Sequence, residues 1–476
     1  MIGVPAQPMK EMPPGLVDRV ASLIKDREHD LEQARELGTM VGLDPEHAVT
    51  RLGIFHGYVS VFVIAFLVTL LATPLMRKLA LAHGVIDRPS EARKVHRVPV
   101  AYLGGVAVYL GLMAAILYSY FAAEVPGLVT YHPTQYLFDL APYPVPISVL
   151  IGLTAIMLVG LLDDVVGVRP RVKVGGQLVA AAALAANDVG VKVAEGMLGP
   201  VGQALFGDPK LLFMIPLPFT LPLFGEQINA IPIDLIYWAG TAVIAVFVLG
   251  ACNASNLIDG LDGLLSGVTA IVAGGLTVIA LTLAVQDDGP RDASRVILSL
   301  ALLGACLGFL PHNFNPASIF LGDCGSLLLG FCTIVIILTL GDRGQTHLVF
   351  AGLIIYAIPI IDTILAIVRR KMAGKRISDP DDQHLHHMLK RALGVKGAVL
   401  ALYGLGAGFA GLGIALSLGR ARVVYAITLV FAAFIVVTAI KIARRKKIEE
   451  QAMQYASGVA RSVPANGAEA VTRPVA

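Results

Sequence analysis

At 476 residues, 56% of them hydrophobic and only 15% charged, the chain is too apolar to be one large soluble domain, which would carry about a quarter charged residues. A formal net charge of +3 is too small to point to a nucleic-acid partner. Cys252, Cys306, Cys324 and Cys332 all lie in or beside apolar segments, which argues against a disulfide framework.

Residues 1–52 read as a polar N-terminal extension. They lack the apolar stretch of a cleavable signal peptide, so the first membrane helix is expected to act as the targeting signal. Leu16, Val20, Leu23, Ile24, Leu31, Ala34 and Leu37 recur at helical spacing on an acidic background, which predicts a surface helix. A membrane domain over 53–441 follows. A spanning helix needs roughly 20 apolar residues, and eleven such runs occur, near 54–76, 100–121, 146–162, 172–187, 231–251, 264–285, 294–310, 318–340, 347–368, 397–418 and 422–440. The expected fold is therefore an all-α polytopic membrane protein of about eleven transmembrane helices. The 188–230 connection, rich in Pro and Phe with alternating apolar residues, predicts a short hairpin outside the membrane. No repeat suggests the inverted halves of a transporter. The tail, 442–476, is basic at first and is expected to be disordered after Ala452, where Ala, Ser, Pro and Gly dominate.

Lysine and arginine placement orients the chain. Arg77, Lys78, Arg93, Lys94, Arg169, Lys173, Arg369, Arg370 and the run Arg444, Arg445, Lys446 and Lys447 all fall on the face that follows the odd-numbered spans. That face is expected to be cytoplasmic, in a bacterial inner membrane, with the N-terminal extension outside.

Five polar clusters fall on this same face. Asp163 and Asp164 end the third span in GLLDDVVGVRPRVKVGGQ. Adjacent carboxylates there repel and lose hydration unless a cation compensates. Magnesium suits them, because it takes hard oxygen ligands and leaves positions for substrate phosphates. Lys173 is placed to meet an anionic diphosphate, although an acidic pair that caps a helix would look the same. In NASNLIDGLDGLLSG, Asn253, Asn256, Asp259 and Asp262 recur every three residues and would share one face if the segment were helical. The EF-hand calcium pattern is absent. In PHNFNPASIFLGDCGSLLLGF, Asp323 stands between glycines inside an apolar stretch, as a ligand, a helix cap or both. RRKMAGKRISDPDDQHLHHMLKR gathers His384, His386 and His387 among cations, which favours an anionic ligand over zinc. DRPSEARKVHRVPVAYLGG carries Lys94 and His96, suited to phosphate or to lipid head groups.

These five segments, in this order, resemble the polyprenyl-phosphate N-acetylhexosamine-1-phosphate transferase family over roughly 54–440. The paired Asp of the family is similar to Asp163 and Asp164, and its diphosphate-contacting Lys to Lys173. Its Asn-x-x-Asn stretch looks like Asn253–Asp262, with Asn256 at a magnesium-contacting position and Asp262 at a uridine-contacting one. Its Gly-Asp-x-Gly-Ser motif resembles Gly322–Ser326, which makes Asp323 the principal magnesium ligand by resemblance. The His-x-His-His form of His384, His386 and His387 is closer to the GlcNAc-1-phosphate branch than to the MurNAc-pentapeptide branch. Many relatives carry a third Asp where this chain has Gly167, and the N-terminal extension lies outside the pattern.

The resemblance implies transfer of a sugar-1-phosphate, GlcNAc-1-phosphate first among candidates, from a UDP-sugar to a polyprenyl phosphate such as undecaprenyl phosphate, with release of UMP. It implies Mg²⁺, with Mn²⁺ as an alternative, and allows a homodimer. Asp163 and Asp164 are the expected catalytic carboxylates. Asp323 and Asn256 are the expected metal ligands. Lys173, Asn253, Asp259, Asp262, the three His, Lys94 and His96 are expected to bind substrate. The alternatives are a phospho-MurNAc-pentapeptide transferase and, in another class, a transporter of an anionic lipid or nucleotide.

Overall fold

The computed structural model describes residues 51–87, 99–122, 144–223, 226–286, 291–374 and 384–462. Residues 1–50 of the N-terminal extension, Lys94, His96 and the Asp379–Asp382 stretch lie outside them. In chain order the elements are α1 (Arg51–His83), the two-residue strands β1 (Ile86–Asp87) and β2 (Val100–Ala101), α2 (Gly104–Ala122), α3 (Ile147–Val166) and α4 (Pro170–Ala186). Next come α5 (Val193–Phe206), β3 (Leu212–Leu223), β4 (Glu226–Asp234), α6 (Leu235–Ile258), α7 (Leu264–Val285), α8 (Asp292–Asn313) and α9 (Gly322–Thr339). The chain closes with α10 (Thr346–Ile355), α11 (Ala357–Met372), α12 (Leu385–Ser417) and α13 (Ala421–Ser462).

Among the described residues, nine helices are long and apolar enough to cross a membrane, and α10 with α11 passes the same test only as a pair, bent by 79° into the form of a broken span or a re-entrant loop. Each of the eleven expected runs corresponds to a helix, but two differ from the expected form. The 172–187 run is α4, whose 17 residues make it shorter than a full crossing. The 347–368 run is broken at Tyr356, one turn before Pro359, whose missing N–H disfavours an unbroken helix. The hairpin predicted within 188–230 is β3–β4, an antiparallel pair with a register shift between Pro216 and Leu221. The fold is thus mainly, not wholly, helical. Helix α13 continues past Ala452 to Ser462, where the composition had predicted disorder; the Glu-, Gln- and Met-containing stretch ahead of it favours helix and carries the turn onward.

Helices α7, α8 and α9 are the most enclosed, with α9 foremost, whereas α1 and α13 expose most of their length. Leu71 on α1 and Leu429, Val430 and Phe434 on α13 point outward, as a hydrocarbon surround permits. At the end bearing β3–β4, Arg291 Nε pairs with Asp342 at 2.9 Å and so ties the start of α8 to the segment after α9, while within α8 the buried Arg295 Nη1 pairs with Asp292 at 2.6 Å. Arg295 Nε also donates to the Thr339 carbonyl at 2.9 Å.

The opposite end is built on close backbone crossings. A β-carbon on Gly105 would lie 2.1 Å from Gly325 N, and one on Gly160 would lie 2.4 Å from Cys324 Cα. Only glycine lets α2 and α3 approach the start of α9 this closely. Gly322 has φ of 70°, a region that costs other residues strain. A β-carbon there would also sit 2.5 Å from the Asp164 carboxylate. Gly322→Ala is therefore expected to lower both thermal stability and turnover, measured by a melting curve and an activity assay on the same purified sample.

Candidate active site

The chemistry-bearing residues meet at one end of the bundle because each sits at a helix terminus that points there. Asp163 and Asp164 close α3, Lys173 opens α4, Asn256 closes α6, Asp323 opens α9 and His384 precedes α12. The chain turns back at Gly167, at φ of 69°, and Pro170 starts α4. This reversal, rather than one continued helix, brings Lys173 beside Asp163.

Lys173 Nζ lies 2.7 Å from Asp163 Oδ2 and makes a second, shorter contact with Asp323 Oδ2. Asn256 Nδ2 donates to Asp323 Oδ1 at 2.9 Å and to Ser326 Oγ at 3.0 Å. Asp163 Oδ1 accepts the Val168 N–H at 2.9 Å. Four separate helices therefore supply one centre of two carboxylates, one amide and one ammonium.

Asp164 points elsewhere. Its Oδ1 accepts the Asp323 N–H at 2.8 Å and its Oδ2 the Cys324 N–H at 3.0 Å. These are backbone donors of the first turn of α9, which have no partner within the helix. A carboxylate here also meets the positive end of the helix dipole. Asp323 is thus not the cap of its own helix; Asp164 caps it from across the fold.

The expectation that Asn253, Asn256, Asp259 and Asp262 share a helical face does not hold. Helix α6 ends at Ile258, and Gly263 turns the chain at φ of 76°. Asn253 donates to Gln177 Oε1 at 3.1 Å and to the Leu249 carbonyl at 2.7 Å. Asp262 Oδ2 accepts from Asn315 Nδ2 at 2.9 Å and from Ala317 N at 3.0 Å, which fastens the loop between α8 and α9. Only Asn256 of the four bonds to Asp323.

Burial, reinforced by the negative charges of Asp323, Asp164 and Asp262, pushes the Asp259 carboxyl up to about 8. A carboxyl raised by folding stabilises the fold below the ordinary carboxylate range, and that contribution is lost as pH rises through about 8. Without divalent cation, the melting temperature is expected to fall between about pH 4 and about pH 8, and to fall less in Asp259→Asn. A thermal-shift series in buffers of matched ionic strength measures both.

Two residues of this end escaped the sequence reading. Tyr102 stands in the loop before α2, with its ring 6.1 Å from that of Phe320. Burial and then the charges of Asp87, Asp164, Asp323 and Asp259 hold its phenol protonated well above the usual range. Asp362, buried in α11, bonds to His384 Nδ1 at 2.9 Å. No motif announces either one: each is a single polar residue in an apolar or loop context.

The hard carboxylate oxygens of Asp323 and Asp163 suit a magnesium ion, and the Asn256 amide beside them would add an oxygen on turning over. The Lys173 ammonium, drawn between Asp163 and Asp323, shows that this cluster already gathers positive charge. Such a centre at the mouth of an apolar bundle defines a multi-pass membrane protein equipped to hold anionic reactants at one end.

Comparison with known proteins agrees. The description "Glycosyl transferase family 4" matches residues 146–341, the segment holding Asp163, Asp164, Lys173, Asn256 and Asp323. The decaprenyl-phosphate N-acetylglucosaminephosphotransferase of Mycolicibacterium smegmatis is 32% identical over 400 residues, 80% of this chain and 87% of that protein. The probable undecaprenyl-phosphate N-acetylglucosaminyl 1-phosphate transferase of Bacillus subtilis is 32% identical over 351 residues, 73% of this chain and 82% of that protein. The phospho-N-acetylmuramoyl-pentapeptide-transferase of Bacillus cytotoxicus is 30% identical over 345 residues, 68% of this chain and 87% of that protein. The chain belongs to glycosyl transferase family 4.

Proposed function

We propose that the protein transfers GlcNAc-1-phosphate from UDP-GlcNAc to a polyprenyl phosphate at the cytoplasmic face of the inner membrane, releasing UMP. The observation that carries this reading is the convergence of Asp163, Lys173, Asn256 and Asp323 from four helices onto one charged centre. The GlcNAc branch is supported by the relatives that bear that name and by the His-x-His-His spacing. Membership of a transferase family sets the transporter reading aside.

In the reaction a lipid phosphate oxygen forms a bond to the sugar-bearing phosphorus. The bond from that phosphorus to the bridging oxygen breaks, and UMP leaves with the bridging oxygen. Both reactants are anions, so catalysis is chiefly positioning and charge stabilisation. Asp323 and Asn256, with Asp163 beside them, would hold magnesium, which when bound neutralises diphosphate charge. Asp163 is the carboxylate free to orient the lipid phosphate or take its proton, because Asp164 is committed to the start of α9. Lys173 leaves its carboxylates for the diphosphate when the donor arrives. The His384, His386 and His387 rings contact the same diphosphate from the α11–α12 side.

The test is UMP release by purified protein with polyprenyl phosphate, magnesium and a choice of UDP-GlcNAc or UDP-MurNAc-pentapeptide. UMP is expected from UDP-GlcNAc alone and only with the lipid present. Release from the pentapeptide donor instead, or none from either, contradicts the proposal.

A further inference from the structure

Asp362 lies on α11 within an apolar run and is 1% exposed, a setting in which a carboxylate needs specific partners. Its two oxygens have separate ones. Oδ1 accepts the backbone N–H of Leu385 at 2.7 Å, at the first residue of α12. Oδ2 faces His384 Nδ1 at 2.9 Å. The same Oδ2 is 3.7 Å from His386 Nδ1, too long for a hydrogen bond but close enough for attraction.

The imidazoles are themselves an ordered set. The rings of His384 and His386 stack with centroids 5.4 Å apart and planes 14° from parallel, and His387 lies 4.3 Å from His386. On the edge away from Asp362, His386 Nε2 packs on Gly260, where a β-carbon would sit 2.4 Å from it. Gly260 follows Asp259, whose carboxyl feels the charge of Asp323. The carboxylate therefore stands on one side of the rings and the Asp259–Gly260 turn, which follows the helix that carries Asn256, on the other. An anion accepting at Nδ1 selects the ring form with a proton there and fixes which edge faces away from it.

We propose that Asp362 is a positioning residue: it locks His384, and through the stacked rings His386 and His387, in the orientation that meets the donor diphosphate. This rests on the reading above, in which those rings contact the diphosphate. A metal held by Asp362, His384 and His386 is the less favoured account, because one carboxylate oxygen is occupied by Leu385 N and the other sits at hydrogen-bond distance from the ring.

Asp362→Asn preserves an oxygen for the Leu385 N–H but removes the anionic acceptor facing His384. It is expected to lower kcat/KM for the UDP-sugar about 10- to 100-fold and to leave KM for polyprenyl phosphate unchanged. The double variant Asp362→Asn/His384→Gln is expected to be no slower than His384→Gln alone, because one acts through the other. Losses that multiply, or an equal change in both KM values, would mean a merely structural role and overturn the proposal. His384→Gln at full activity would instead overturn the underlying reading of the rings. A slow His384→Gln beside a fully active Asp362→Asn overturns only the positioning role. Elemental analysis that finds a transition metal bound to the wild type and missing from Asp362→Asn also overturns it. If Asp362→Asn does not survive purification, Asp362→Glu, which keeps the charge but displaces it, enters the same cycle with the same expected outcome.

Discussion

Asp323→Asn lowers kcat by roughly 10³-fold or more while thermal stability stays near that of the wild type. The expectation follows from the position of this carboxylate. One oxygen receives Asn256 and the other Lys173, and the residue opens α9 at the point where α2 and α3 cross it most closely. An asparagine fills the same volume and leaves the backbone bonds to Asp164 intact. It lacks the charge that gathers a cation against two anionic reactants, and phosphoryl transfer depends on that neutralisation. Steady-state UMP release and a melting curve on one preparation separate the two effects. A variant with near-normal turnover would remove Asp323 from the centre of the mechanism.

The second large effect separates the neighbours Asp163 and Asp164. Asp164→Ala is expected to destabilise the fold by about 3 kcal/mol or more, because two backbone N–H groups lose a charged acceptor. Asp163→Asn is expected to keep its stability and lose turnover by roughly 10²- to 10⁴-fold, the range for removing a proton-transfer group. Asp163 is partnered by the ammonium of Lys173 and by Val168 N, whereas both oxygens of Asp164 are bound to the start of α9. The reverse pattern, a stable but inactive Asp164 variant with an unstable Asp163 variant, would exchange their roles.

The membrane-spanning runs were legible because hydrocarbon demands long apolar segments, and the β3–β4 hairpin because its apolar residues alternate. Asp163, Asp164, Asn256, Asp323 and the three His were legible because carboxylates and imidazoles are costly at the ends of such segments. Their convergence was foreshadowed by the common face that lysine and arginine placement assigns. What each residue bonds to was not legible. Asp164 meets Asp323 and Cys324 across the fold, and no local pattern encodes a cap supplied from another helix. Asn253 does precede Asn256 by three residues on α6, but its amide bonds to Gln177 and the Leu249 carbonyl; Asp262 was expected beside them, but the chain leaves helical geometry after Ile258 and Gly263 turns it away. Tyr356 breaks the 346–372 span, yet only Pro359 hints at the bend. Asp362 passed as one polar residue in an apolar helix, because its meaning comes from His384, on the next helix.

The central claim is that Asp163 and Asp323 form one cation-binding centre. Manganese titration of the purified protein, followed by electron paramagnetic resonance in the presence of UDP-GlcNAc, tests it without relying on turnover. One bound ion per chain is expected in the wild type, with binding lost in Asp323→Asn and weakened in Asp163→Asn. Manganese held with unchanged affinity by both variants would contradict the account.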